Sequence, residues 1–261
     1  MAFLYETHLH TSQGSACGQS TGREMARFYQ SLGFQGIIVT DHFFGGNTAV
    51  PRALPWKERV DWFCRGYEDA REEGERIGLD VFFGWEQGYL GDEYLIYGLD
   101  KQWLLDHPEV ERWTRREQLQ GVHEGGGCVI QAHPFRTRDY IRYVRLGLDY
   151  ADGAEVANAG NLPHNDAYAY RYAKEYELVM TAGSDAHRAA PGDEGRIMGV
   201  ALEKKLGSIY DFVSLIRNRG PIGLNVNPKR FEREEDAPPI ETFYLDEKEG
   251  LVPTHRDWLY E

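Results

Sequence analysis

Side chains that bind divalent metals recur along this chain, each shortly after an apolar run. The candidates are His8, His10, His42, Glu86, His133, Asp185 and His187. Imidazole and carboxylate groups are ligands for divalent cations such as zinc, manganese or iron. Because carboxylates gathered at one point repel one another without a cation, the set predicts a metal centre built from distant parts of the chain.

Two of these motifs, His8-Leu9-His10 and Asp185-Ala186-His187, place their donors two residues apart. Side chains alternate across a strand, so each motif presents both donors on one face. Either motif alone would equally fit a partly buried, hydrogen-bonded pair. Two such motifs in one chain, each at the end of an apolar run, favour metal ligation.

The single candidates have plausible partners or roles of their own. Asp41 precedes His42 and could orient its imidazole from behind, as carboxylates do at metal sites; alternatively, it caps the next segment. Glu86 follows a strongly apolar run and could bridge two metals, one on each oxygen; alternatively, it is an acid in a loop. The proline after His133 restrains that loop.

These donors require elements that bring them together. Strand-like runs that end in ligands alternate with helical patterns, which predicts an α/β fold whose parallel strands end at one site. Capping-box signatures at Thr21–Glu24 and Thr114–Glu117 mark two helix starts.

Length and composition restrict the class of protein. A chain of 261 residues suits one α/β barrel, and its net charge of −13 argues against a long nucleic-acid track but not against a small anionic substrate. The chain has 3 cysteines and no CxxC motif, which favours a reducing cytosol. We find no signal peptide and no membrane-spanning run, so we expect a cytoplasmic protein without a membrane partner.

Composition changes near the C-terminus. The segment Pro228–Pro239 combines proline with charged residues and is typical of a surface linker. We therefore divide the chain into a metal-binding barrel at 1–226 and a charged linker and tail at 227–261.

The ligand motifs, taken in order, resemble those of the PHP family, named for polymerase and histidinol phosphatase domains. They are His8-Leu9-His10-Thr11, Thr40-Asp41-His42, Gln131-Ala132-His133-Pro134-Phe135 and Gly183-Ser184-Asp185-Ala186-His187. The resemblance implies a distorted (β/α)7 TIM-like barrel of PHP type, with two or three divalent metal ions at its C-terminal face. It also implies phosphoester hydrolysis as the usual activity.

The resemblance further implies a ligand set. His8, His10, Glu86 and Asp185 would hold one metal, Glu86 and His133 a second, and His42 and His187 a third. The chain departs from the family at two positions: Gln19, or Cys17, stands where an imidazole is expected, and Glu93 takes the place of a histidine at the start of the fourth strand. These departures count against a full set of three metals and against histidinol phosphate as substrate.

Arg136 and Arg138 closely follow His133. A guanidinium near the metals could clamp a phosphate through bidentate hydrogen bonds, although solvated surface arginines are the alternative.

Together these features predict a metal-dependent phosphoesterase that hydrolyses a small phosphate ester with a metal-activated water. The candidate catalytic residues are Glu86, which would bridge the metals, and His42 or His187, either of which, or a metal-bound water, would protonate the leaving group. A related metallohydrolase acting on a C–N bond and a non-catalytic metal-binding PHP module are the alternatives.

Overall fold

Strands and helices alternate along most of the chain. The fold is given by a computed structural model, which describes residues 2–139, 141–190, 192–193, 196–232 and 240–254. The strands are β1 (Phe3–Leu9), β2 (Gly36–Val39), β3 (Asp80–Gly88), β4 (Glu93–Tyr97), β5 (Cys128–Ala132), β6 (Val144–Leu146), β7 (Gly153–Asn158), β8 (Val179–Gly183), β9 (Val200–Leu202), β10 (Gly223–Leu224), β11 (Thr242–Leu245) and β12 (Leu251–Pro253). The helices are α1 (Gly22–Ser31), α2 (Trp56–Phe63), α3 (Arg65–Ile77), α4 (Lys101–Asp106), α5 (Arg115–Glu124), α6 (Pro163–Glu175) and α7 (Ile209–Arg217), with short 3-10 helices at Pro108–Arg112 and Pro228–Phe231.

Most of the strands form one sheet, in the order β10-β9-β1-β2-β3-β4-β5-β7-β8. β1, β2 and β3 are parallel neighbours, and so are β5, β7 and β8. After β8 the chain returns to the end of β1, where Asp185 N donates to His8 O at 2.8 Å and His10 N donates to Ala186 O at 2.9 Å. These bonds nearly close the sheet, so the predicted distorted (β/α)7 barrel is confirmed.

β4 runs opposite to both of its neighbours, β3 and β5. Its first residue, Glu93, therefore pairs with Gly88 at the end of β3 and with Ala132 at the end of β5. The start of an antiparallel strand lies at the edge where its neighbours end. Glu93 thus joins the C-terminal mouth of the barrel, where the predicted ligands were expected to meet.

Capping boxes define the starts of α1 and α5, as predicted. Thr21 and Glu24 exchange side-chain-to-backbone hydrogen bonds at the first, and Thr114 and Glu117 do so at the second. A cap of this kind contributes about 1 kcal/mol of helix stability. Among the helices in the described residues, none is both long and apolar enough to cross a membrane.

The barrel interior beneath the mouth is polar, although most of the core is apolar. Glu6, Thr7, His8 and His10, at the C-terminal half of β1 and just beyond it, have no exposed surface. Burying ionisable groups costs several kcal/mol for each ion unless partners compensate. These side chains must therefore find hydrogen bonds or bound ions inside the barrel.

The described C-terminal residues pack on the barrel. The 3-10 helix at Pro228–Phe231 lies against α6, and Arg230 Nε donates to the fully buried Asp166 at 2.6 Å. β11 pairs in parallel with β6 and antiparallel with β12. The division into 1–226 and 227–261 stays a prediction, and residues 233–239 and 255–261 of its second part lie outside the described residues.

Candidate metal centre

The predicted ligands meet at the mouth of the barrel. His8 lies on β1 and Glu86 on β3; the others lie at the strand ends or in the loops that follow: His10 after β1, His42 after β2, Glu93 at the start of β4, His133 after β5, and Asp185 and His187 after β8. Their donor atoms form four overlapping groups within 4.8 Å: His8-His10-Asp185, His8-Glu86-His133, His10-His42-His187 and His42-Glu86-Glu93.

The first group surrounds a point between His8 and His10. His8 Nε2 lies 3.2 Å from His10 Nε2 and 3.4 Å from Glu86 Oε1, and His10 Nε2 lies 3.0 Å from Asp185 Oδ1. Two nitrogens bound to one tetrahedral zinc lie about 3.4 Å apart, given Zn–N bonds of about 2.0–2.1 Å. The donor spacing therefore fits one divalent cation held by His8, His10, Glu86 and Asp185.

Hydrogen bonds behind the rings fix which nitrogen faces this point. His8 Nδ1 lies 3.0 Å from Glu155 Oε1 and so donates its proton to that carboxylate. His10 Nδ1 lies 3.1 Å from Ser15 Oγ, whose own proton goes to Asp41 Oδ1 at 2.7 Å. Ser15 Oγ must then accept from His10. Both imidazoles consequently turn an Nε2 lone pair toward the other donors, as at metal sites with a carboxylate behind the histidine.

Glu86 lies at the centre of the donor groups. Its Oε1 is 3.0 Å from His133 Nε2, and its Oε2 is 2.7 Å from His42 Nδ1. The side chain is 1% exposed, yet Oε2 and His42 Nδ1 have no well-aligned hydrogen bond to any described residue. Buried polar atoms are almost always satisfied, so this carboxylate oxygen and the donors around it fit a bound cation.

A second cation position lies on the other side of Glu86. His133 Nε2 is 3.0 Å from Glu86 Oε1 and 3.6 Å from Glu93 Oε2. Burial and the charge of Glu86 raise the pKa of Glu93. Glu93 forms a donor group with Glu86 and His42, and a cation held there would relieve that repulsion. Glu93 therefore lies among the candidate donors at a position where the PHP resemblance implies a histidine.

A third position is lined by imidazoles. The rings of His10 and His42 stack with centroids 4.2 Å apart, and those of His10 and His187 with centroids 4.5 Å apart. His187 Nδ1 donates to Asp185 O at 2.8 Å. Burial raises the pKa of the Cys17 thiol, but hydrogen bonds with His187 and His42 outweigh it and lower the pKa to about 6.

The two loop candidates, Cys17 and Gln19, lie differently. Cys17 is half-buried, and its thiol lies near enough to His187 and His42 for both to lower its pKa. The Gln19 side chain is exposed, and Gln19 is held by its backbone N, which donates to His187 O at 2.6 Å. Cys17 belongs to none of the four donor groups found among the described residues.

Without a bound cation, protons on the histidines balance the negative charge of the carboxylates in the cluster. Burial lowers the pKa of His8, but the carboxylates of Glu155, Asp185 and Glu86 outweigh it and raise the pKa well above the usual range. Burial likewise opposes protonation of His42, and Glu86 raises its pKa well above the usual range. The resulting imidazolium ions compensate the negative charge of the carboxylates, as bound metal ions would.

Asp41 acts on this centre indirectly. It was predicted to orient the His42 ring, but the hydrogen bonds of its carboxylate go to Thr11 N, Thr11 Oγ1 and Ser15 Oγ, each at 2.7 Å. Ser15 Oγ in turn accepts from His42 N at 2.9 Å. Asp41 therefore positions His10 and the His42 backbone through Ser15.

The two predicted phosphate-binding arginines differ in their contacts. Arg136 Nη2 donates to Asp185 Oδ2 at 2.5 Å and to Asn158 Oδ1 at 2.8 Å, and Arg136 borders a cavity of about 480 Å³ beside His133. Arg138 is exposed, and its guanidinium donates to the carbonyls of Thr137 and Gly160. The structure therefore brings only Arg136 to the metal ligands, and phosphate binding by either residue stays a prediction.

The sequence analysis did not identify Glu155, the carboxylate that holds His8 and His133 from the barrel interior. Glu155 lies on β7, is fully buried, and accepts from His8 Nδ1 and His133 N. Asn158 Nδ2 donates to the same carboxylate at 2.9 Å. A charged residue and an amide inside the otherwise apolar run Gly153–Asn158 were the available signal.

Two ligands have unusual backbone conformations. His133 has φ 29° and Asp185 has φ 51°. Such values cost an L-residue of order 1–3 kcal/mol and concentrate at functional sites, where surrounding contacts hold them.

Part of the chain matches known proteins in sequence. Residues 163–190, which contain α6, β8 and the loop with Asp185 and His187, match a family described as PHP-associated. A 5'-3' exoribonuclease from Haemophilus influenzae is 35% identical over 74 residues, which make up 26% of this chain and 27% of that protein. The match thus spans about a quarter of the length of that curated relative.

Solved structures share the fold at low identity. A two-domain protein from Bacteroides vulgatus, which contains a predicted PHP-like metal-dependent phosphoesterase, has a TM-score of 0.60 at 16% identity, over 83% of this chain and 64% of that chain. A protein from Bifidobacterium adolescentis assigned as a metal-dependent phosphoesterase has a TM-score of 0.54 at 19% identity, over 83% and 96% of the two chains. An amidohydrolase from Chromobacterium violaceum, with bound sulfate and no metal, has a TM-score of 0.50 at 14% identity, over 86% and 99%. The likeness shows the fold, and the family match over residues 163–190 agrees with the PHP resemblance of the motifs.

Proposed function

We propose that this chain is a metal-dependent phosphoesterase that hydrolyses small phosphate esters. The observation that carries the proposal is the placement of Glu86. Its buried carboxylate directs one oxygen toward His8 and His133 and the other, which lacks a hydrogen bond, toward His42. A carboxylate so placed can join two cations, as a bridging ligand does in metallohydrolases.

Cations bound here would lower the pKa of water and offset the negative charge that develops on phosphoryl oxygens. The chain contributes the geometry. Glu155 and Ser15 hold the imidazoles of His8 and His10 in one tautomer, and Arg136 fixes Asp185.

Proton transfer to the leaving group falls to residues at the rim of the cluster. The side chains of His42 and His187 are 12% and 29% exposed, whereas those of His8 and His10 are fully buried. The raised pKa of His187 has several causes: burial opposes it, while Cys17 and Asp185 favour the protonated ring. We propose that His187, the more accessible of the two, supplies the proton.

The cavity beside the second position favours an anionic substrate. Arg136, Arg142 and Arg145 line it together with Tyr143. The carboxylates of Asp92 and Glu93 line the same cavity, so arginines outnumber acids there, in contrast with the overall charge of −13. We therefore retain a small phosphorylated molecule as the substrate class.

The decisive test replaces Glu86 by Gln and measures phosphate release from a panel of phosphate esters, with zinc, manganese or iron supplied. We expect turnover to fall by more than about 100-fold, beyond the range seen when groups behind metal ligands are removed. Glu73→Gln is the matched control, because Glu73 is also buried but lies on α3 and pairs with Arg27 and Arg76. Equal turnover in both variants would overturn the role of Glu86.

Two observations define competing substrates for the same panel. The amidohydrolase neighbour shares the fold, so amide substrates are included and ammonia is measured. The exoribonuclease similarity covers a quarter of that protein, so a short 5'-phosphorylated RNA is included as well. Release of ammonia alone would identify a C–N hydrolase, and metal uptake without any turnover would identify a binding module.

A cytosolic location is also proposed. Cys17, Cys64 and Cys128 are free thiols. Free thiols are typical of proteins in reducing compartments.

A further inference from the structure

We propose that Arg230, on the 3-10 helix Pro228–Phe231, is a positioning residue for the metal centre. It acts through a polar path of hydrogen-bonded side chains, which are Asp166, Asn161, Asn158 and Arg136. The inference rests on the metal centre of the proposed function and concerns its affinity for metal. It places the 3-10 helix within the metal-binding unit, whereas the charge pattern of the sequence predicts a tail there.

The outer end of the polar path is the ion pair between Arg230 and Asp166. Arg230 Nε donates to Asp166 Oδ2 at 2.6 Å, and Asp166 is fully buried on α6. The same guanidinium donates through Nη2 to the carbonyls of Asn158 and Asn161, each at 3.1 Å. A planar guanidinium bonded to three groups at once has a defined orientation, so these bonds fasten the 3-10 helix to α6 and to the loop that precedes it.

The middle of the polar path consists of two buried asparagines. Asp166 Oδ1 accepts from Asn161 Nδ2 at 3.0 Å and from Asn158 N at 3.3 Å. The amide oxygens of both asparagines accept from Arg136, at 3.0 Å for Asn161 and 2.8 Å for Asn158. Because Asp166 holds the amide nitrogen of Asn161, the oxygen of that amide must face Arg136.

The inner end of the polar path reaches two carboxylates at the metal centre. Arg136 Nη2 donates to Asp185 Oδ2 at 2.5 Å. Asn158 Nδ2 donates to Glu155 Oε2 at 2.9 Å, and Glu155 Oε1 accepts from His8 Nδ1 at 3.0 Å. Asp185 and His8 both belong to the first donor group, so the path supports that group at two of its members.

Removal of Arg230 would leave the buried carboxylate of Asp166 without its counter-ion. Losing one member of a buried ion pair weakens the network around it, because the remaining polar groups must find new partners. The asparagine amides would then hold Arg136 and Glu155 less firmly. We expect the metal of the first donor group to bind about 10-fold more weakly, the lower limit for groups directly behind metal ligands.

The experiment uses the full-length protein loaded with zinc, and measures zinc affinity by competition with a chelator. Arg230→Ala should lose affinity, and Arg230→Lys should recover part of it, because an ammonium can pair with Asp166 but lacks the fork of the guanidinium. Thr114→Ala is the destabilised control, since it removes the capping box of α5, which lies outside the polar path. Equal losses of zinc affinity in Arg230→Ala and Thr114→Ala would show that stability alone matters and would overturn the inference.

A double-mutant cycle tests the route. In an Asn158→Ala background, Arg230→Ala should lower zinc affinity by less than about twofold, because the path is already broken. Asn161→Ala gives a second cycle if Asn158→Ala does not fold. Additive losses would overturn the path.

The outcome for this inference is separable from that for the proposed function. Wild-type zinc affinity in Arg230→Ala, with ester turnover still dependent on Glu86, would overturn the inference and leave the proposed function intact. Failure of the wild type to bind any metal would overturn both.

Discussion

At the residue scale, the centre depends on the groups that hold the ligands as much as on the ligands themselves. His8 is turned by Glu155, and His10 by Ser15 and Asp41. Each contact places a proton on Nδ1 and leaves Nε2 free for a cation. Such supporting groups typically account for 10–100-fold in metal affinity or activity, roughly 1.4–2.7 kcal/mol.

Replacing Glu155 by Gln tests this support. An amide in place of the carboxylate weakens the charge-assisted bond to His8 Nδ1, so we expect metal affinity to fall about 10–100-fold. Competition with a chelator measures the change. Glu6→Gln is the control: Glu6 is equally buried and accepts from Tyr29 and from backbone nitrogens, but not from a ligand ring. A similar loss of affinity in both variants would show that burial of an acid, and not the His8 contact, matters.

The ligands could be predicted from the sequence because each follows an apolar run at a strand end. Ser15 could not, because a serine in a loop has no spacing signal, and the signal for Glu155 was limited to an acid within an apolar strand. Asp41 was predicted to lie beside the centre, and it does. Its carboxylate, however, accepts from Ser15 and not from the ring of His42. The contacts behind the ligands depend on loop conformation, which local sequence does not specify.

At the element scale, the direction of β4 explains why an acid lies where the PHP resemblance implies a histidine. The antiparallel pairing brings Glu93 to the mouth beside Glu86 and His133. The alternation of strands and helices predicted the barrel, but periodicity does not encode strand direction. A carboxylate here adds negative charge to the second position and should favour cations that accept oxygen ligands.

Glu93→Gln tests that contribution. We expect the metal at the second position to bind more weakly while the metal at His8 and His10 is retained, because Glu93 does not belong to the first donor group. Stepwise removal of metal by a chelator, followed by elemental analysis, separates the positions. Loss of all metals together would contradict this assignment of Glu93.

The 3-10 helix at Pro228–Phe231 supports the same mouth from outside. Arg230 donates to Asp166 and, at 3.1 Å, to the carbonyls of Asn158 and Asn161, the residues whose side chains hold Arg136. Arg230→Ala would leave the carboxyl of Asp166 without its guanidinium, so we expect a loss of about 1–3 kcal/mol in unfolding free energy. Urea unfolding measures it.

A chain ending at residue 226 should be less stable than Arg230→Ala, since it also loses the pairing of β11 with β6. Arg230→Lys serves as the control that keeps the charge. If the shortened chain were as stable as the full one, residues 227–261 would be an independent tail, as the charge pattern of the sequence predicts.

At the scale of the whole molecule, the metal centre links folding to pH. In the metal-free protein the pKa values of His8 and His42 are raised, because the surrounding carboxylates outweigh the opposing effect of burial. A raised histidine pKa stabilises the fold fully below the unfolded value of about 6.5, and that stability is lost as pH rises toward the folded values. The pKa values of Glu86 and Asp185 are lowered, since neighbouring cationic side chains outweigh burial, so their contribution persists across this range.

Bound cations replace those protons, so stabilisation by metal should grow with pH. We expect the difference in Tm between zinc-loaded and metal-free protein to increase from about pH 6 to about pH 9. At the lower pH, protons compete with the metal for the imidazoles. At the higher pH, the histidines of the metal-free protein lose their protons, and the carboxylates beside them are left unpaired. Burial raises the pKa of Glu6 from 4.5 to about 7, so the stability of both forms falls between these pH values and the effect cancels in the difference. Thermal unfolding of both forms at matched ionic strength measures the trend. Parallel Tm curves would mean that the imidazoles are held by hydrogen bonds alone, and the electrostatic case for cations at the mouth would be lost.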